Sequence, residues 1–249
     1  MKARFRIVAM WFAGMIAYAV CQPVHAVTIV NGGFDAGFTG WTRVDQLGSQ
    51  GTFFLQTGTA SPVNGNTVPA PPQGTTAAMT DAQGPGSHVL FQDFVVTTPV
   101  TPTALNFSLF VGNRGTAFFT PNTLDFSTPA LNQRARVDIL RAGTDPFSLA
   151  AADVLANLFE TRPGDPLVSG YTLRSLDVTS LLNANAGSTL RLRFSEVDNV
   201  NVFQFGVDNV SFSAVTAVSE PASSVLAISA LLGVIWTQRR RKLTWRDLM

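Results

Sequence analysis

Residues 189–195 read Thr189-Leu190-Arg191-Leu192-Arg193-Phe194-Ser195, an unbroken alternation of polar and apolar side chains. Extended chain puts Leu190, Leu192 and Phe194 on one face and Arg191 and Arg193 on the other, as expected of a strand that buries one side. Residues 104–111 (ALNFSLFV) repeat the pattern, with Leu105, Phe107, Leu109 and Val111 inward. Further short runs of this kind occur at 27–30, 41–45, 52–56, 76–79, 88–96, 134–141, 171–177 and 200–205, the last leading into 207–215. Turn residues separate them at short intervals, and no long amphipathic helical pattern intervenes. The fold class expected is therefore all-β, an antiparallel β-sandwich over residues 27–216. Only 148–159, whose alanines and leucines leave it ambiguous, and a short turn at 179–185 that Asp177 or Thr179 can cap, read as helical. The Pro-, Gly- and Asn-rich stretches 57–75, 112–133 and 142–168 read as loops, two of them unusually long for a compact domain. Long loops on a rigid sandwich are where binding is expected. Phe118, Phe119 and Phe126 in the second loop either fold over the sandwich as a lid or present an apolar patch to a partner.

The 249-residue chain is 46% hydrophobic and 13% charged, with a net charge of +1. That sum conceals three segments. Residues 1–26 carry Lys2, Arg4 and Arg6, residues 27–219 carry nine arginines against fourteen carboxylates, and the C-terminal thirty residues are basic again. An acidic body between basic ends excludes a nucleic-acid partner, which needs a contiguous cationic face. The basic start, an apolar run over 7–20, and Val24 and Ala26 before the cut predict a signal peptide over 1–26, with signal peptidase cleaving between Ala26 and Val27. Cleavage there removes Cys21, the chain's one cysteine, so neither disulfides nor thiol chemistry is expected in the body. Residues 222–237 (ASSVLAISALLGVIWT) predict a short transmembrane helix, followed by Arg239, Arg240, Arg241 and Lys242. The positive-inside rule puts that basic run in the cytoplasm, with 243–249 as a cytoplasmic tail, and the body outside.

The tail resembles the PEP-CTERM sorting signal, in which a Pro-Glu-Pro-like motif precedes a brief transmembrane stretch and an Arg-rich end. Glu220 and Pro221 match the last two motif positions, Ser219 stands in place of the first proline, and Arg239, Arg240 and Arg241 match the basic end. The resemblance, over 217–242, implies processing by an exosortase of a Gram-negative bacterium that makes extracellular polysaccharide. It implies an anchored precursor, then a surface or extracellular protein. The body resembles carbohydrate-binding-module-like, galactose-binding-like jelly rolls. Val30-Asn31-Gly32-Gly33-Phe34-Asp35 with Gly40-Trp41 is similar to that family's opening, and residues 205–212 (FGVDNVSF) to its last strand. The resemblance implies that the first and last segments lie side by side and hold a structural Ca²⁺ through Asn31, Asp35 and Asp208, with extracellular polysaccharide as a binding partner. On the residues alone, Asp208 as a turn cap and Asp35 as a turn residue are the competing reading.

Catalytic signals are sparse. His88 is the sole histidine after residue 26, and adjacent Ser87 points to the opposite face, so the pair cannot form a nucleophile–base hydrogen bond. His88 reads as an ordinary strand-start residue. Lys2 and Lys242 are the only lysines, which excludes lysine-dependent phosphate and Schiff-base chemistry in the body. No catalytic residue is assigned. The function expected is a non-enzymatic structural or adhesive role in an exopolysaccharide or biofilm matrix, the alternative being a carbohydrate-binding module recognising extracellular polysaccharide and, less favoured, a glycan-active enzyme.

Overall fold

A computed structural model of the chain describes residues 27–98 and 102–214. Ten strands and one helix follow in chain order: β1 (Thr42–Asp45), β2 (Thr52–Thr57), β3 (Thr76–Asp81), β4 (Gly86–Val95), β5 (Thr103–Asn113), β6 (Gln133–Arg141), β7 (Val154–Glu160), β8 (Thr172–Asp177), α1 (Thr179–Ala184), β9 (Thr189–Asp198) and β10 (Phe203–Ala214). They form two five-stranded antiparallel sheets, ordered β1-β4-β9-β6-β7 and β2-β3-β10-β5-β8. The expected sandwich is what the chain builds. The expected signal-peptide and transmembrane helices, Ala26, and Glu220, Pro221, Arg239, Arg240 and Arg241 lie outside the described residues. Among those described, no helix is long and apolar enough to cross a membrane.

The decisive stretch forms the middle of the first sheet. Leu190, Leu192 and Phe194 of β9 point between the sheets, where Phe194 meets Phe107 of β5 edge to face at 5.8 Å and Trp41 at 5.9 Å. Such ring pairs add about 0.5–1.5 kcal/mol each beyond the area they bury. On the second sheet Phe203, Phe205 and Val207 of β10 complete the core. Residues 199–202 carry the chain from one sheet to the other, so β9 and β10 are the central strands of opposite layers.

The opening motif has a physical reading. Asn31 and Phe34 take left-handed conformations, at φ 52° and 57°. The Asn31 amide donates to the Gly37 and Thr39 carbonyls while its oxygen accepts from Ala36 N–H, which closes the turn. Gly32 lies so close to the last strand that a Cβ there would sit 1.8 Å from the Val210 carbonyl oxygen. Phe34 is fully buried against Trp41 at 5.3 Å. Residues 27–30, expected as a strand, are not one: the Val30 N–H and C=O are taken by the Gln92 side chain, and the chain turns directly into the Asn31 motif. The ambiguous 148–159 contains a turn and then β7, and the last strand begins at Phe203 rather than at 200.

Part of each outer face is covered. Arg191 and Arg193, expected to face water, are roofed by the segment after β6, whose Thr144, Pro146 and Ser148 carbonyls accept from them. On the second sheet, residues 58–71 lay Val68 against Met79, Phe110 and Tyr171, and Asp81 accepts from the Val63 and Asn64 N–H groups. Phe118 is buried against Phe203, so its loop is a lid, and Phe126 N–H donates to the Ser87 hydroxyl.

Candidate functional site

The residues expected to hold calcium fall into two groups. Asp35 and Asp208 are brought within electrostatic reach of each other beside the loop at 73–76. Asp35 Oδ1 accepts from Thr75 N–H at 2.9 Å and from the Thr75 and Thr76 hydroxyls, which hold its pKa below the ordinary value, the Thr75 N–H most of all. Asp208 is fully buried; burial lifts its pKa to about 6, against the opposing pull of the Gln73 and Asn209 N–H groups, and the charge of Asp35 adds to the rise. Asn31 uses its side chain within its own turn and does not join them. Val27, the expected mature start, is buried in the core.

Two clefts open where the sheets part. On one side an open groove of about 600 Å³ runs between β1 and β2, lined by Phe38, Trp41, Thr42, Arg43, Asp45 and Thr52. The Arg43 guanidinium sits 4.4 Å over the Phe38 ring and donates to the Phe53 carbonyl at 2.8 Å, so it bridges the gap between the sheets. The opposite side carries a smaller cleft of about 230 Å³, in which Arg174 lies 4.4 Å over Phe159. Each open edge thus presents a guanidinium stacked on a phenylalanine.

A third constellation was not legible as a site. β1, β4 and β9 pair in register so that Asp45, His88 and Glu196 stand side by side, all on the inward face. Asp198, two residues on from Glu196, shares that face. His88 Nδ1 lies 2.7 Å from Asp45 Oδ1, while Nε2 is buried with no hydrogen-bond partner, as is Glu196 Oε1. Asp198 Oδ1 accepts from Gly86 N–H at 2.8 Å. The ligand-capable atoms of His88, Glu196 and Asp198 lie within 4.8 Å of one another. Burial lifts Asp198 to about 7 and Glu196 well above the ordinary carboxylate value. The inward parity of Leu192 and Phe194 continues to Glu196 and Asp198, a signal lost when the strand is ended at Ser195. A pocket of about 220 Å³ formed by Gln83, Pro85, Asn199, Asn201 and Val202 reaches Asp198 from outside.

No protein-family model matches the chain, and no curated protein matches it. Among solved structures it is similar to TmCBM61 in complex with beta-1,4-galactotriose, at 12% identity over 75% of this chain and 97% of that one, with a TM-score of 0.43. It is also similar to the K3 cleaved adhesin domain of Lys-gingipain from Porphyromonas gingivalis W83, at 14% identity over 75% of this chain and 99% of that one, with a TM-score of 0.45. The family 11 carbohydrate-binding module from Clostridium thermocellum matches at 11% identity over 76% of this chain and 95% of that one, with a TM-score of 0.38. These neighbours are carbohydrate-binding-module-like and adhesin β-sandwiches, and the likeness is one of fold.

Proposed function

We propose that the protein is an exported, non-catalytic module of an extracellular polysaccharide matrix, and that it holds a saccharide chain in the groove between β1 and β2. The observation supporting this is the groove's make-up. It is open, and it sets an aromatic edge (Phe38) beside a pinned guanidinium (Arg43), a carboxylate (Asp45) and the hydroxyls of Thr42 and Thr52. Sugars offer apolar C–H faces ringed by hydroxyls, so a site for them combines apolar surface with a few fixed donors and acceptors. An open groove also admits the interior of a polymer. Retention of the full chain on a gel of its host's exopolysaccharide tests this reading, and passage of the chain unretarded contradicts it.

A purely structural or adhesive role is the second reading. It is favoured by the chain's own loops, which roof part of each outer sheet face and reduce the surface left for a ligand. It allows no retention on the gel.

The reading includes export. Signal peptidase acts after Ala26, and an exosortase acts near Glu220-Pro221 on a precursor held by residues 222–237 with Arg239, Arg240 and Arg241 inside. Deleting 220–242, or the host's exosortase, changes the mature mass and location; identical material from both strains overturns this part. The reading also includes a structural Ca²⁺ shared by Asp35 and Asp208. No cationic side chain among the described residues forms an ion pair with either carboxylate, and oxygen donors of this kind suit calcium.

A further inference from the structure

We propose that His88, Glu196 and Asp198 form a second metal site between the sheets, selective for a divalent first-row transition ion rather than calcium. The cluster is as deeply buried as the apolar core: each of the three residues is exposed by 4% or less. Two carboxylates and an imidazole at such depth require partners, because buried charge is paired, neutralised or bound to metal. No arginine among the described residues forms an ion pair with Glu196 or Asp198. Two ligand-capable atoms in the cluster, His88 Nε2 and Glu196 Oε1, are buried without a hydrogen-bond partner. Buried polar atoms are rarely left so; of the seven such side-chain atoms among the described residues, these two fall together in one cluster of potential ligands.

The surroundings fit a metal. Asp45 Oδ1, 2.7 Å from His88 Nδ1, orients the imidazole so that Nε2 is the nitrogen turned to the cluster, the arrangement that outer carboxylates impose on metal-binding histidines. Gly86 keeps the space open beside that nitrogen, since a Cβ there would stand 2.3 Å from Nε2. With ligand bonds of about 2.1 Å, three donors now within 4.8 Å need to close by roughly an ångström, which side-chain torsions can supply. The pocket at Gln83, Pro85 and Asn201 touches Asp198 and provides a way in for the ion. One imidazole nitrogen with two carboxylate oxygens suits zinc-like ions, whereas calcium takes six to eight oxygens.

The test uses zinc as probe, on the full chain purified without immobilised-metal chromatography. After zinc loading and dialysis, elemental analysis is expected to find one equivalent per chain in excess calcium. Glu196→Gln and His88→Gln are expected to retain at least tenfold less, and Asp45→Asn to bind roughly 10- to 100-fold more weakly. Because a buried variant can fail to fold, the unaltered chain is also titrated with cobalt(II), where saturation of a visible absorption band at one equivalent is expected. Less than a tenth of an equivalent of zinc together with no cobalt band overturns the site. Full zinc retention by folded Glu196→Gln overturns it equally. Neither result bears on saccharide binding in the neighbouring groove.

Discussion

The guanidinium of Arg193 lies 2.6 Å from Oδ2 of Asp138, and both side chains are wholly buried on the outer face of the first sheet. Arg136 holds the other oxygen of Asp138 at 2.7 Å, and the Pro146 and Ser148 carbonyls accept from Arg193. A strand whose alternation reads half-exposed is therefore closed on both sides, because the polar face was designed for a loop rather than for water.

Removing one partner leaves the other charge buried and unpaired, so Asp138→Ala is expected to cost about 3–5 kcal/mol. Denaturant unfolding measures it; a loss below about 1 kcal/mol would show that the loop relaxes and lets water in.

The same pair sets a pH dependence. Burial opposes the Asp138 charge, but the hydrogen bonds and charges of Arg136 and Arg193 outweigh it and hold the pKa below the ordinary carboxylate value. With the folded pKa below the unfolded one, the stabilisation is present above the unfolded value near 3.8 and is lost as pH falls through the folded value. Asp81 behaves alike, its burial outweighed by Asn64, Gln204 and Val63. Stability is expected to fall as the pH drops below the ordinary aspartate value of about 4, and the fall to be shallower in Asp138→Asn. Equal slopes in the two proteins would contradict this.

Asp81 pins the 58–71 cover through Val63 and Asn64 N–H, each at 2.8 Å. Asp81→Ala removes the acceptor, at about 1–3 kcal/mol for groups left without a partner. Hydrogen exchange is expected to speed up at 63 and 64 while β9 and β10 stay protected. Unchanged protection at 63 and 64 would show that Val68 packing alone holds the cover.

Calcium at Asp35 and Asp208 predicts stabilisation by mass action. At a calcium concentration a hundred times Kd the gain is about 2.7 kcal/mol, or roughly 5–10 °C in Tm for a domain of this size. Asp208→Asn should abolish it. Calorimetry showing the same midpoint in calcium and in EGTA removes this ion.

How much was legible follows from where the information sits. The pattern at 189–195 and 104–111 is local, so the sandwich and its core faces could be read directly. β7 was not, because Ala151, Ala152, Leu155 and Leu158 suit either helix or strand and only pairing with β6 decides. The burial of Arg191 and Arg193 depends on a loop some 45 residues away in sequence. His88 read as unremarkable because its neighbours in sequence are not its neighbours in space; the β1-β4-β9 register supplies Asp45 and Glu196. Asp35 and Asp208 stand within electrostatic reach of each other, whereas Asn31 is held inside its own turn by contacts that no local pattern signals.

The central claim concerns the groove, and affinity electrophoresis in the host's exopolysaccharide tests it most directly. The full chain should be retarded, with the retardation reduced at least tenfold in Phe38→Ala and in Arg43→Ala and kept in Arg174→Ala at the opposite edge. Equal migration of the unaltered chain with and without polymer, or retardation that survives Arg43→Ala and is lost in Arg174→Ala, would contradict it.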